Sequence, residues 1–359
     1  MTDILTDSNF EILYTDGAAR IGNIKTTHGN LKTPTFFPVH NLGGDAGWNT
    51  PRYWEIFPDM QTAMFNGYSI LLNKKRVMEK IALSGGVHDF LGFQGIAFVD
   101  SGGYIGKENP LNVSQESILK IQEDIGADIA STLDLPFNMN EDFDLYNKIY
   151  QSFINAVQAR RKLANRDMLL YASVHGNDPL VLKNVLIFLS KNETFDGFAI
   201  GSLVPIRNDF RRVVDMVLSA RSVVRDKPLH VFGLGGFLTV PLLVYLGVDS
   251  SDSSSFIICG GKRRYFVPSY REISMASLED YGDLPCNCPI CSSKTYEEVR
   301  ADRSLIALHN LWVLWNELKM VKYAISEGRL EKYLENRYAE TPILKSAFEY
   351  AKMKRRNFL

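Results

Sequence analysis

The sequence predicts an α/β protein: a (β/α)8 barrel of the TIM type with an appended C-terminal subdomain. Three observations carry this. Short β-rich apolar runs alternate with longer amphipathic stretches, and each run ends in Gly, Asp, Ser, Asn or His, the pattern of repeated βα units and a parallel sheet. Eight such runs occur, which suits a closed ring better than an open sheet. After about Phe266 the alternation stops, and a cysteine-rich loop leads into a helical tail.

In chain order the expected strands are Thr35–Val39, Tyr68–Leu72, Ile96–Val99, Asp128–Thr132, Leu169–Val174, Gly197–Ile200, Leu229–Phe232 and Val248–Ser250. The eighth runs into Ser-Ser-Asp-Ser-Ser-Ser, which has little β-propensity of its own. Between the strands, Gln115–Ile125, Leu145–Ala164, Pro179–Ser190 and Phe210–Val224 place Leu, Ile, Val and Ala at roughly 3.6-residue spacing and read as helices. Residues 1–266 are therefore expected to form the barrel. Residues 267–359, with Trp312, Trp315, Tyr323, Tyr333 and Tyr338, form the subdomain and C-terminal helices. No repeat, low-complexity tract or Gly/Ser linker separates the two, so they read as one unit.

The 359 residues are 45% hydrophobic and 23% charged, enough for a sizeable core. A net charge of −1 gives no whole-molecule field to attract phosphates, so any nucleic-acid partner must be held by local basic clusters. The N-terminus lacks a basic start followed by an apolar run, and no stretch approaches eighteen apolar residues. A cytoplasmic protein with no membrane partner is expected.

Three of the four cysteines lie in Cys286-Asn-Cys288-Pro-Ile-Cys291, and His309 follows on the helical segment Ser304–Leu318. Three thiolates and an imidazole suit zinc, and four protein ligands leave no open position for a substrate. The tail is thus expected to be a C-terminal zinc-binding subdomain, the zinc being structural and the protein needing no organic cofactor. The duller alternative is a reduced surface loop. Cys259 reads as an indifferent thiol.

In such barrels chemistry sits at the carboxyl ends of the strands. Phe98-Val-Asp100-Ser-Gly-Gly-Tyr104 ends the third strand, and Gly247-Val-Asp249-Ser-Ser-Asp252 ends the eighth, so Asp100 and Asp252 face across the mouth. A carboxylate pair is what displacement at an anomeric carbon needs. As an alternative, the two aspartates merely cap helices. Asp134, His175-Gly176, Gly201-Ser202 and Phe232-Gly233 complete a ring of strand-end residues resembling a pocket.

The Asp-Ser-Gly-Gly-aromatic turn, Gly-Val-Asp-x-x-Asp, and Cys-x-Cys-x2-Cys followed by His309-Asn-Leu311 together resemble the tRNA-guanine transglycosylases and their DNA-modifying relatives, the DpdA-type 7-deazaguanine transglycosylases. The likeness runs from Gly22 and Thr33-Pro-Thr-Phe-Phe-Pro38 to Leu311. It implies that Asp252 is the nucleophile on C1′, Asp100 the proton-transfer group, and Asp134 the reader of the guanine N1–H and amino group. Ser101, Gly201 and Ser202 would line the base pocket, with Tyr104 and Phe232 sandwiching the base, while His175 and Gly233 are substrate-binding candidates from the ring of strand-end residues.

Two glutamines of the tRNA enzymes are replaced, by Ile105 and His175, so base selection is expected to differ. A Pro-Thr-Arg segment that follows the nucleophile in the bacterial enzymes is also missing. Here Ser253-Ser-Ser-Phe-Ile-Ile-Cys-Gly-Gly-Lys262-Arg-Arg264 stands instead, and the sequence ends about fifty residues after His309, where the archaeal enzymes usually carry extra RNA-binding domains. By elimination DNA is the favoured substrate, with tRNA the alternative and a preQ0-type 7-deazaguanine the incoming base. Lys262, Arg263 and Arg264, and the run Lys352-Met-Lys-Arg-Arg356, are candidates for phosphate contact, the alternative being solvated surface charge. The family resemblance also suggests a homodimer. A reading of another class is a catalytically inactive, zinc-bearing nucleic-acid-binding subunit, against which the presence of both aspartates argues. A third, an unrelated metal-dependent hydrolase, would need ligands in the mouth beyond His175.

Overall fold

The computed structural model of the chain describes residues 8–42, 50–72, 75–103, 113–140, 143–165, 167–268, 271–281 and 284–356. Tyr104 and Ile105 lie outside the described residues. Three antiparallel strands come first, β1 (Phe10–Asp16), β2 (Ala19–Thr26) and β3 (Gly29–Thr33). The eight strands β4 (Thr35–Pro38), β5 (Thr62–Asn66), β6 (Ile96–Asp100), β7 (Ile129–Ser131), β8 (Leu169–Val174), β9 (Gly197–Ile200), β10 (Leu229–Val231) and β11 (Ser250–Ser253) then form one parallel sheet. Its order is β4-β11-β10-β9-β8-β7-β6-β5. A bridge between Val39 and Met64, with the His40 N–H donating to the Met64 carbonyl at 2.8 Å, joins the two outer strands into a TIM-type barrel. A hairpin of β12 (Arg264–Phe266) and β13 (Glu272–Ser274) follows.

Two expected strands move. The second is Thr62–Asn66, and Tyr68–Leu72 lies inside a helix, Gly67–Leu72. A short apolar run fits a buried strand or a helix turn equally well. The choice is made by Asn66, whose Oδ1 accepts the Ser69 N–H at 2.8 Å and opens the helical turn. The eighth strand is Ser250–Ser253 rather than Val248–Ser250. Parallel pairing with β4 on one side and β10 on the other overrides the weak propensity of serine, so Asp252 sits within the strand rather than beyond it. The N-terminal antiparallel sheet was not foreseen.

The flanking helices fall close to expectation, at Gln115–Asp124, Leu145–Lys162, Pro179–Asn192 and Phe210–Val223. Local chemistry sets three of their starts. Ser114 accepts the Ser117 N–H, Asp178 accepts those of Leu180 and Val181 just before Pro179, and Asp209 accepts that of Arg212. Among the described residues no helix is long and apolar enough to cross a membrane.

Phe37, Met64, Ile96, Phe98, Ile129 and Tyr171 fill the barrel, and Phe10, Ile24 and Leu31 of the antiparallel sheet pack beneath them. Two buried carboxylates tie that sheet to the amino ends of the strands. Asp249 accepts Arg20 Nε at 2.7 Å, Arg20 NH2 at 2.8 Å, Arg221 NH2 at 2.7 Å and the Leu229 N–H at 2.8 Å. Burial alone would raise its pKa, but Arg221 and Arg20 hold it below the usual carboxylate value. Asp128 accepts from Thr27, His28 and the Ala97 N–H, each at 2.8 Å. Burial works against its ionisation too, yet bonds from His88, Ala97, His28 and Thr27 bring its pKa down to about 2.

Candidate active site

Above the apolar filling, the carboxyl ends of the strands carry polar groups. Side chains alternate along a strand, so Ser250 and Asp252 of β11 share one side, as do His230 of β10 and Phe232 just after it. Asp252 Oδ1 accepts two hydrogen bonds, from His230 Nε2 at 3.1 Å and from the Gly233 N–H at 2.9 Å. The Gly233 backbone has φ +73°, a conformation that side-chain-bearing residues rarely adopt, and this turn aims its N–H at the carboxylate. On the far side of His230, Nδ1 meets Ser250 Oγ at 2.9 Å. The imidazole is fully buried against Phe98 and Phe232, with ring centroids 4.9 and 4.8 Å away.

A second relay stands beside it. Asp134 Oδ1 accepts Ser101 Oγ at 2.8 Å, and its Oδ2 lies 3.0 Å from His175 Nε2. His175 Nδ1 meets Ser202 Oγ at 2.9 Å, and that oxygen also accepts the Phe137 N–H at 3.1 Å. Ser202 adopts φ 60°, strain of the kind that gathers at functional sites. A Cβ on Gly201 would come within 2.3 Å of the His175 ring, so only glycine leaves the imidazole its place.

Asp100 ends β6 half-buried, with long bonds from Asn66 Nδ2 at 3.4 Å and Ser131 Oγ at 3.3 Å. Burial, then the nearby charges of Asp134 and Asp252, push its pKa up to about 7. Asp134 and Asp252 thus both converge on Asp100 closely enough to oppose its ionisation. Because the folded pKa is raised above the unfolded value of about 3.9, the folded state binds the extra proton, and stability is lost as pH climbs from about 4 to 7. Asp100→Asn is expected to raise Tm more at pH 8 than at pH 5, as read by thermal melts. An equal gain at both would mean that no repulsion is stored there.

Cys286, Cys288, Cys291 and His309 bring their donor atoms within 4.8 Å of one another. His309 Nδ1 lies 3.4 Å from Cys288 Sγ and 3.3 Å from Cys291 Sγ. Its Nε2 donates to the Phe266 carbonyl at 2.8 Å, which fixes the tautomer and leaves the Nδ1 lone pair facing the sulfurs. The Tyr265 ring stacks on the imidazole at 3.7 Å, holding it in plane. Such a cluster can hold a metal ion, and its three thiols and one imidazole are compatible with zinc.

The basic candidates separate. Lys262 is exposed, but Arg263 donates to the Arg300 carbonyl and Arg264 pairs with Glu272 at 3.1 Å. In the terminal run, Lys352 pairs with Glu335 and Glu349, and Lys354 with Asp215, so much of that charge docks the last helix. Sequence reasoning missed His230, Ser250, Asn66 and Ser131. His230 was legible in principle: alternation in Leu-His-Val-Phe puts it on the same inward side as Phe232.

A family model described as queuine tRNA-ribosyltransferase matches residues 16–343. The chain is similar to the tRNA-guanine(15) transglycosylase of Pyrococcus abyssi, with 31% identity over 95% of this chain and 58% of that protein. It is also similar to the protein of that name from Methanosarcina mazei, with 30% identity over 93% of this chain and 68% of the relative. The Pyrococcus furiosus counterpart is 30% identical over 95% of this chain and 58% of its own length. The chain therefore spans between about half and two thirds of the curated relatives it matches.

Proposed function

From the chain's membership of the queuine tRNA-ribosyltransferase family, we propose that it is a pentosyltransferase that exchanges a guanine of tRNA for a 7-deazaguanine of the preQ0 type. The observation that carries this is the convergence of Asp100, Asp134 and Asp252 at one barrel mouth, with Asp252 held by His230 and Gly233.

Asp252 attacks C1′ as the bond to guanine breaks, forming a glycosyl ester. Asp100 gives a proton to the departing base and takes one from the incoming deazaguanine, a dual role suited to a carboxyl raised to about 7. The incoming base then displaces Asp252 with net retention. Asp134 accepts from the guanine N1–H and amino group, and Ser101 orients it. Gly201 and Ser202 line the base slot, and Phe232 offers a stacking face. Tyr104 is assigned the opposite face on the family resemblance alone. His175, in place of a glutamine, presents a ring nitrogen beside Asp134 and is the residue expected to alter base selection. Because a base inside a stacked helix cannot present C1′ to an aspartate, the target nucleotide is flipped out. Lys262, exposed just past the helix that follows the strand of Asp252, is the candidate for a phosphate contact. The Cys286, Cys288, Cys291 and His309 set would hold a structural zinc, with no step of the exchange passing through it.

The relatives' names, tRNA-guanine(15) transglycosylase, favour tRNA over the DNA reading that the missing Pro-Thr-Arg segment suggested, and point to guanine 15 as the target. The test offers radiolabelled guanine with total tRNA and with plasmid DNA in separate tubes. Label is expected in tRNA. Label in DNA alone would restore the DNA reading, and label in neither would overturn the enzymatic one.

A further inference from the structure

The two oxygens of Asp252 stand in different surroundings. Among the described residues both hydrogen bonds to the carboxylate fall on Oδ1, from His230 Nε2 at 3.1 Å and the Gly233 N–H at 2.9 Å. A carboxylate only accepts, so Nε2 carries the hydrogen, and the second nitrogen, Nδ1, faces the Ser250 hydroxyl at 2.9 Å. The two contacts fix which nitrogen faces the carboxylate. Phe98 and Phe232 pack against the ring, and Phe37 lies edge-on with its centroid 6.2 Å away, so the imidazole cannot turn to another partner.

We propose that His230 is a positioning residue of the exchange, which holds Oδ1 through a Ser250-anchored ring and thereby makes Oδ2 the oxygen that bonds C1′. The inference rests on the base-exchange reading above. In the first step an Oδ2 lone pair forms the bond to C1′, and the electron pair of the C1′–N9 bond leaves with guanine, which takes the Asp100 proton. Oδ1 becomes the ester carbonyl and accepts more weakly from His230 and Gly233. In the second step N9 of the incoming base bonds to C1′, its proton passes to Asp100, and the C1′–Oδ2 pair returns to the carboxylate. His230 and Gly233 stabilise the carboxylate more than the ester, so they ease this second departure. Removing the imidazole donor should slow breakdown of the ester more than its formation.

The experiment compares wild type, His230→Phe and His230→Gln with radiolabelled guanine and an unmodified tRNA transcript. It follows both turnover and the protein–RNA adduct on denaturing gels, with folding checked by thermal melts. In His230→Phe, turnover should fall about tenfold to a hundredfold, the effect of one lost bond to a charged group, while the adduct fraction rises. His230→Gln, which keeps a donor, should recover most of the loss. Turnover like wild type in His230→Phe overturns the proposal and leaves the base-exchange reading standing. So does a fall without adduct that glutamine does not rescue, since that marks a packing role. Should His230→Phe not fold, Ser250→Ala decides: a fall in turnover with more adduct supports the proposal, and no change overturns it. No exchange by the wild type overturns both readings together.

Discussion

Asp252→Asn is expected to lower base exchange by about four orders of magnitude or more, the scale on which removal of a covalent nucleophile acts. The reason lies in what the substitution keeps. An asparagine oxygen can still accept from His230 and Gly233 at the Oδ1 position, and the amide matches the carboxylate in shape, so the strand pairing of Asp252 with Phe37 need not move. What is lost is the anionic oxygen that forms the ester. Incorporation of labelled guanine into tRNA and the covalent adduct on denaturing gels should vanish together, with a melt no lower than that of wild type and unchanged metal content. Substantial residual exchange would remove Asp252 from the nucleophile's role.

The second large effect concerns the other end of the molecule. Cys288→Ser should lose bound zinc and much of the soluble protein. Cys288 is fully buried, its sulfur faces His309 Nδ1 at 3.4 Å, and its neighbours Cys286 and Cys291 lie in the same cluster. A structural zinc site contributes on the order of 10–16 kcal/mol of apparent binding free energy at neutral pH, comparable with the whole stability of a domain. A hydroxyl is a poor substitute for a thiolate here. Metal analysis and a melting curve check the expectation, and a variant that stays folded without metal would show the cluster to be dispensable.

The parts of this architecture written in local chemistry were legible in the sequence. Helix starts at Ser114, Asp178 and Asp209 and the cysteine spacing need only neighbouring residues to be understood. The carboxylates at strand ends could be named because barrel geometry says where to look. What could not be read depends on distant parts of the chain. The Ser-rich strand β11 exists because β4 and β10 flank it, and the helix at Gly67–Leu72 turns on one bond from Asn66. The Asp252–His230–Ser250 relay joins two strands whose register no single run discloses. Tyr104 was named on resemblance and lies outside the described residues. The basic run at the C-terminus was read as a candidate for phosphate, yet Lys352 and Lys354 are spent on Glu335, Glu349 and Asp215.

Strand β11 also meets β4, at Thr35 against Ser250, and Asp249 just before it is gripped by Arg20 from the N-terminal sheet. The strand that carries Asp252 is thus zipped to a segment made far earlier in synthesis. Closing so long a loop costs chain entropy that is recovered only when the ring is complete. Asp252 takes its place in the barrel mouth only when β11 has paired with both β4 and β10. A nascent or half-folded chain carries the residues of the site but not the site.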